Sequence, residues 1–141
     1  MRIVSLINLS FAAATLLAGC NGYPPPLNPS QLDQTNWKAT SPYDAREFVE
    51  FKLVKAGRSL ALYGHGGCHR LAGVMQISGN RITLATPLVE RPIKDCVSGR
   101  EYMVKRYIAA IKQGLILDNG AFYTSDGNVM FIKQKRSVKT N

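Results

Sequence analysis

The chain has 141 residues, 45% of them hydrophobic, 19% charged and 9% aromatic, which fits one compact domain and excludes a multidomain machine. Its 18 Lys and Arg against 9 Asp and Glu give a net charge of +9, or +8 once Arg2, the one charge among the first 19 residues, is set aside. A domain of this length buries roughly two-thirds of its unfolded surface, so the cysteines are not an obligatory scaffold.

Met1-Arg2 is a short basic head, Ile3 to Leu17 is mostly apolar, and Leu17-Ala18-Gly19-Cys20 closes the stretch with small residues before a thiol. This is the pattern of a cleavable export signal over residues 1–19, and it is short of the ~20 apolar residues that cross a bilayer. Leu17-Ala18-Gly19-Cys20 resembles the bacterial lipobox, which implies that Cys20 is acylated and becomes the first residue of the mature chain. Two or three acyl chains, at ~0.8 kcal/mol per buried methylene, hold a protein to a membrane lastingly where one does not. Asn21 stands where inner-membrane lipoproteins usually carry Asp, which by resemblance favours the outer membrane over the inner, with the protein facing the periplasm.

Residues 20–35 contain Pro24, Pro25, Pro26 and Pro29 among mostly polar companions. They read as a tether, extended at ~3.1 Å per residue and able to hold a domain up to ~45 Å from the bilayer. The foldable region, 36–133, opens at Trp37. Ser41-Pro42-Tyr43-Asp44 allows at most one helical turn. Phe48 to Val54 and Ser59 to Tyr63, joined by Lys55-Ala56-Gly57-Arg58, predict a hairpin. Val74 to Ile77 and Arg81 to Leu84, joined by Ser78-Gly79-Asn80, predict a second, in which the Gly-Asn pair supplies the positive φ of a tight turn. Ser98 and Glu101 have capping-box spacing, Met103, Val104, Tyr107, Ile108 and Ile111 recur every three or four residues, and Gly114 supplies a stop. One amphipathic helix over about 98–113 follows. Leu115 to Leu117, Ala121 to Thr124 and Val129 to Ile132, separated by Asp118-Asn119-Gly120 and Asp126-Gly127-Asn128, predict three closing strands. The basic end, 134–141 with Lys133 at its border, reads as a solvated tail. Hairpins, three further strands and one helix make the fold class α+β.

Gly67-Cys68-His69-Arg70-Leu71-Ala72-Gly73, the hairpin around Gly79, Cys96 ahead of the helix, and Leu115-x-Leu117 followed by Asp126-Gly127-x-Val129-x-Phe131 resemble the META domain of HslJ-like heat-shock lipoproteins. The resemblance spans roughly Trp37 to Lys133. It departs at His69, where the family usually has Asn, and at Val89 to Asp95, which lacks the family's Thr-x-Met-Ala before the second cysteine. It implies an antiparallel β-sheet or partial barrel packed against one α-helix (about 98–113), in an exported, often lipidated domain associated with envelope stress, and it carries over no catalytic residue.

With Cys20 used as the anchor, Cys68 and Cys96 remain, and in an oxidising compartment two such thiols usually pair. The alternatives are a zinc site from His65, Cys68, His69 and Cys96, though adjacent Cys68 and His69 do not easily turn to one ion and the paired ligand spacing is missing, or a thiol hydrolase with Cys68 as nucleophile and His65 or His69 as base. Gly57-Arg58-Ser59-Leu60-Ala61 lacks the last glycine and the strand-to-helix setting of a nucleophile elbow. Gly64, Gly66 and Gly67 form no phosphate loop, because no Lys-Ser/Thr pair or helix follows them. No enzyme activity, cofactor or resident metal is expected.

An exported chain meets little nucleic acid, so the positive charge points to anionic headgroups, lipopolysaccharide phosphates or acidic envelope proteins. Lys133, Lys135, Arg136 and Lys139 are the candidates for such contact, each contributing ~1 kcal/mol at an anionic surface. The function this implies is a lipid-anchored, non-catalytic binding or structural accessory of the envelope. A subunit of a secretion or conjugation apparatus is the alternative.

Overall fold

Residues 25–40, 49–96 and 101–135 are described in the computed structural model of the chain, and about half of them lie in strands, of which Val49–Ala56 and Ser59–Gly66 alternate most plainly between buried and outward side chains. The strands are β1 (Thr35–Ala39), β2 (Val49–Ala56), β3 (Ser59–Gly66), β4 (His69–Ser78), β5 (Arg81–Leu84), β6 (Val89–Pro92), β7 (Leu115–Asp118), β8 (Ala121–Tyr123) and β9 (Val129–Lys133). Two helices join them, α1 (Pro29–Leu32) and α2 (Glu101–Gln113). Both predicted hairpins and all three closing strands form. The β7–β8 turn uses Asn119 and Gly120 at φ 46° and 78°, the left-handed pair that matches the twist of a two-residue hairpin.

Every strand pairing is antiparallel, and β1 to β5 and β7 to β9 follow one another as neighbours around a ring. Because the strand number is even, β9 meets β1 with the polarity an antiparallel ladder requires, and eight strands close into a barrel. The fold is thus mostly β, with one helix of 13 residues. β6 stands outside the ring. It pairs with the first half of β4, His69 to Ala72, while β5 pairs with the second, Met75 to Ser78.

An eight-stranded barrel is just wide enough for side chains to fill, and Trp37, Phe51, Leu53, Leu60, Leu62, Met75, Ile82, Phe122 and Phe131 are buried in one continuous core. Rings account for much of it: Trp37 and Phe122 lie 4.2 Å apart, Phe51 and Phe131 4.8 Å, and Tyr107 and Phe131 5.7 Å. α2 closes the end of the barrel where β1 ends and β2 begins. Its Tyr107 hydroxyl donates to the Thr40 carbonyl, Val104 and Ile108 seat against Gly66, and the Arg81 guanidinium donates to the Gln113 carbonyl at 2.8 Å, satisfying an acceptor at the helix C-terminus.

α1 closes the opposite end, and here the sequence reading needs correcting. The tether assigned to 20–35 does not run free to Thr35: Leu32 is buried, Leu27 packs on the core, and the Leu27 amide donates to the Gly79 carbonyl at 2.8 Å. Asn28 caps α1 by accepting from the Ser30 amide at 2.9 Å, and Asp33 accepts from the Lys55 amide at 2.7 Å. Apolar Leu27 and Leu32 have a barrel mouth to cover, so the domain begins near Leu27. Lys133, placed at the border of a tail, is the last residue of β9 and pairs in register with Trp37. The Ser41-Pro42-Tyr43-Asp44 turn and Ser98 lie outside the described residues.

Gly64 marks a close approach in the wall. A Cβ there would stand 2.2 Å from the Glu50 carbonyl oxygen and 2.8 Å from the Phe51 Cβ. Gly64→Ala must therefore part β2 from β3, and we expect a loss of about 1–3 kcal/mol, read from urea denaturation. Unchanged stability would mean that the two strands separate here without strain.

Candidate functional site

The β3–β4 turn carries Cys68, and Cys96 follows β6; their sulfurs form a disulfide with a Cα–Cα distance of 5.4 Å across a sequence separation of 28. The Ile93 amide donates to the Cys68 carbonyl at 2.7 Å, which fastens the same two segments again. Bonded to each other, the sulfurs are neither thiolate ligands nor nucleophiles. In the ladder His65 is opposite Arg70 and His69 opposite Gly66. That register puts the two imidazoles on opposite faces of the hairpin, so His65, Cys68, His69 and Cys96 do not converge on one point. Among the described residues no group of three or more His, Cys, Asp and Glu is arranged to hold a metal ion.

Of the four cations named for anionic contact, Lys133 and Lys135 are exposed and border a polar cleft of about 500 Å³ with Asp33, Gln31 and Gln134. Asp33 shares that cleft, which tempers its positive potential. Arg136 and Lys139 lie outside the described residues, as does Cys20.

A stronger concentration of charge lies on the outer wall of β3, β4 and β6, where sequence reasoning found nothing. The ladders set Glu50, His65, Arg70 and Arg91 in one row across β2, β3, β4 and β6, and Lys52, Tyr63, Ala72 and Val89 in the next. Glu50 is engaged by Lys38 at 3.5 Å, and Glu90 by Lys112. Arg70 and Arg91 are both exposed, stand directly opposite each other, and pair with no carboxylate among the described residues. Opposite charges at such positions strengthen a sheet by ~0.2–1 kcal/mol and like charges weaken it, so this arrangement works against the fold. Beside it Tyr63 is 57% exposed and Val89 48%. Together with Gly64, Leu71 and Ala72 they line a groove of about 440 Å³. The signal that could have found it is weak: Arg70 and Arg91 are 21 residues apart, and only the β4–β6 register brings them together.

A third cleft, of about 330 Å³, lies between α2 and the β8–β9 turn and includes Arg106, Gln113 and Asp126. The Asp126 carboxylate accepts from the Thr124 hydroxyl and, at 2.7 Å, from the Asn128 amide. These bonds, the Thr124 one first, hold its carboxyl below the ordinary value of 3.8. Their work is to close the turn.

Apolar side chains point into the barrel and charged ones outward, the reverse of a barrel whose outer wall meets lipid. Among the described residues no helix is long and apolar enough to cross a membrane. The molecule is thus a filled, disulfide-stapled antiparallel barrel with a helix across one mouth. No protein-family model matches the chain, and no curated protein does either. It is similar in fold to a protein from Burkholderia xenovorans solved by NMR, with a TM-score of 0.55 and 17% identity over 94% of this chain and 100% of that one.

Proposed function

We propose that this is a lipoprotein of the bacterial envelope, anchored through acylated Cys20 and facing the periplasm from the outer membrane, whose META-like barrel is a non-catalytic binding or structural module. One observation carries the reading: Cys68 and Cys96, the two thiols proposed as nucleophile or ligands, are consumed in one bond, while Arg70 and Arg91, which pair with no carboxylate among the described residues, are displayed on the outer wall. A disulfide of this kind persists in an oxidising compartment, which agrees with export. A core filled with side chains leaves the outside of the barrel for recognition, and the Arg70–Arg91 face is the part of it best equipped to hold a partner.

The test is intact-mass analysis of the protein in the membrane fraction, with Cys20→Ser beside it. The native chain is expected to lack residues 1–19, to carry acyl mass, and to be two hydrogens lighter for the disulfide. The variant is expected to lose the acyl mass and leave the membrane pellet. A Cys20→Ser protein that is processed normally and still sediments with membranes refutes the anchor.

A further inference from the structure

We propose that the groove formed by Tyr63, Arg70, Val89 and Arg91 binds the phosphate monoester of a sugar. The proposal rests on reading the barrel as a binding module and names the ligand of its outer face. Arg70 and Arg91 are in register on adjacent strands with no acidic partner among the described residues, so the site offers two permanent positive charges on neighbouring positions. A carboxylate neutralises one of them; a phosphate monoester, close to a dianion at neutral pH, neutralises both. Each guanidinium also offers a planar fork of N–H donors that matches phosphate oxygens in pairs. His65, opposite Arg70 in the ladder and exposed, adds a further donor at the rim. The nearest carboxylate in the row, on Glu50, is drawn toward Lys38.

The apolar side of the groove decides what the phosphate is attached to. The exposed Tyr63 ring, Ala72 and Val89 form a wall beside the arginines, and a ring of C–H groups laid on that wall keeps its hydroxyls in water. A volume of about 440 Å³ suits a small molecule of this size. An added peptide strand fits poorly, because β6 offers four residues of edge and ends at Pro92, which has no amide hydrogen to donate. The net charge of +8 that remains without Arg2 favours the approach of any anion.

Calorimetric titration of the mature full-length chain in nonionic detergent, disulfide intact, tests this with glucose 1-phosphate, glucose and inorganic phosphate. Glucose 1-phosphate is expected to bind saturably, glucose not to bind, and inorganic phosphate to bind several-fold more weakly. Arg70→Gln and Arg91→Gln should each weaken binding of the ester by about tenfold or more, the scale of one charge-assisted hydrogen bond, and Tyr63→Ala should weaken the ester but not inorganic phosphate. All three side chains are exposed, so far-UV circular dichroism and the urea midpoint should be nearly unchanged. No saturable heat, equal binding of ester and inorganic phosphate, or indifference to both arginine variants overturns the proposal. So does phosphatidylglycerol in mixed micelles displacing the ester at lower concentration than the ester itself binds, which would assign the arginines to a membrane surface. Anchoring through Cys20 is read separately from membrane sedimentation, so failure of the groove and failure of the anchor are distinct results.

Discussion

Replacing Phe122 by alanine should cost about 3–5 kcal/mol, the range for removing a large aromatic side chain from a packed core. Phe122 is fully buried on β8, with its ring 4.2 Å from that of Trp37 on β1 and 6.2 Å from that of Phe51 on β2. The chain of rings continues through Phe51 to Phe131 and from Phe131 to Tyr107, so it runs from the barrel interior to the helix that closes its mouth. A hole at Phe122 removes transfer energy and two ring contacts, each worth ~0.5–1.5 kcal/mol beyond the area they bury. It also loosens the support beneath Tyr107. Phe122→Leu, which refills part of the space, should lose less. Urea denaturation of the two variants orders them, and a loss below about 1 kcal/mol for the alanine variant would contradict a ring held at the centre of the core.

The second large effect is expected from the disulfide. Closing a loop of this length restricts the unfolded chain by about 3–4 kcal/mol on the chain-entropy argument, against a total stability of roughly 5–15 kcal/mol for a domain. Cys68→Ser with Cys96→Ser should therefore lower the urea midpoint strongly, and dithiothreitol should do the same to the native chain while leaving the double variant unaffected. Identical midpoints with and without reductant would mean that the bond restrains nothing in the unfolded state. The consequence is also local. β6 pairs only with β4, through four residue pairs, and the disulfide with the Ile93–Cys68 hydrogen bond fastens its far end. Reduction should therefore raise amide exchange first in Val89 to Ile93, and with it the separation of Arg91 from Arg70. The staple that stabilises the barrel is in this way also what keeps two like charges in register.

Much of the local architecture was legible because it is written at short range. The helical period from Met103 to Ile111 needs only its own residues, and so do the turns at Gly79 and at Asn119-Gly120, where a left-handed backbone is demanded within two positions. β1 was missed as a strand because five residues around Trp37, following prolines, show too short an alternation. It becomes one by pairing with Phe51 on one side and Lys133 on the other. β6 was missed for a related reason: all four of its residues are exposed, so it has no buried row, and it exists because the first half of β4 lacks a neighbour on that side. Leu27 and Leu32 sit in proline-rich surroundings that resemble a spacer, and their burial depends on partners at Gly79 and Lys55, far along the chain.

The candidate groove was illegible throughout. Arg70 and Arg91 are unremarkable in the sequence, and no periodicity marks either. By itself the sequence determined the hairpins, the closing strands and the amphipathic helix, because each depends on side-chain order within a few residues. Tertiary structure alone decided that eight strands close, that the segment from Leu27 caps one mouth, and that Arg70 and Arg91 stand opposite each other in the outer wall's ladder. Those outcomes are set by hydrogen-bond register between distant segments, and a shift of one residue in any ladder would turn the same side chains to the other face.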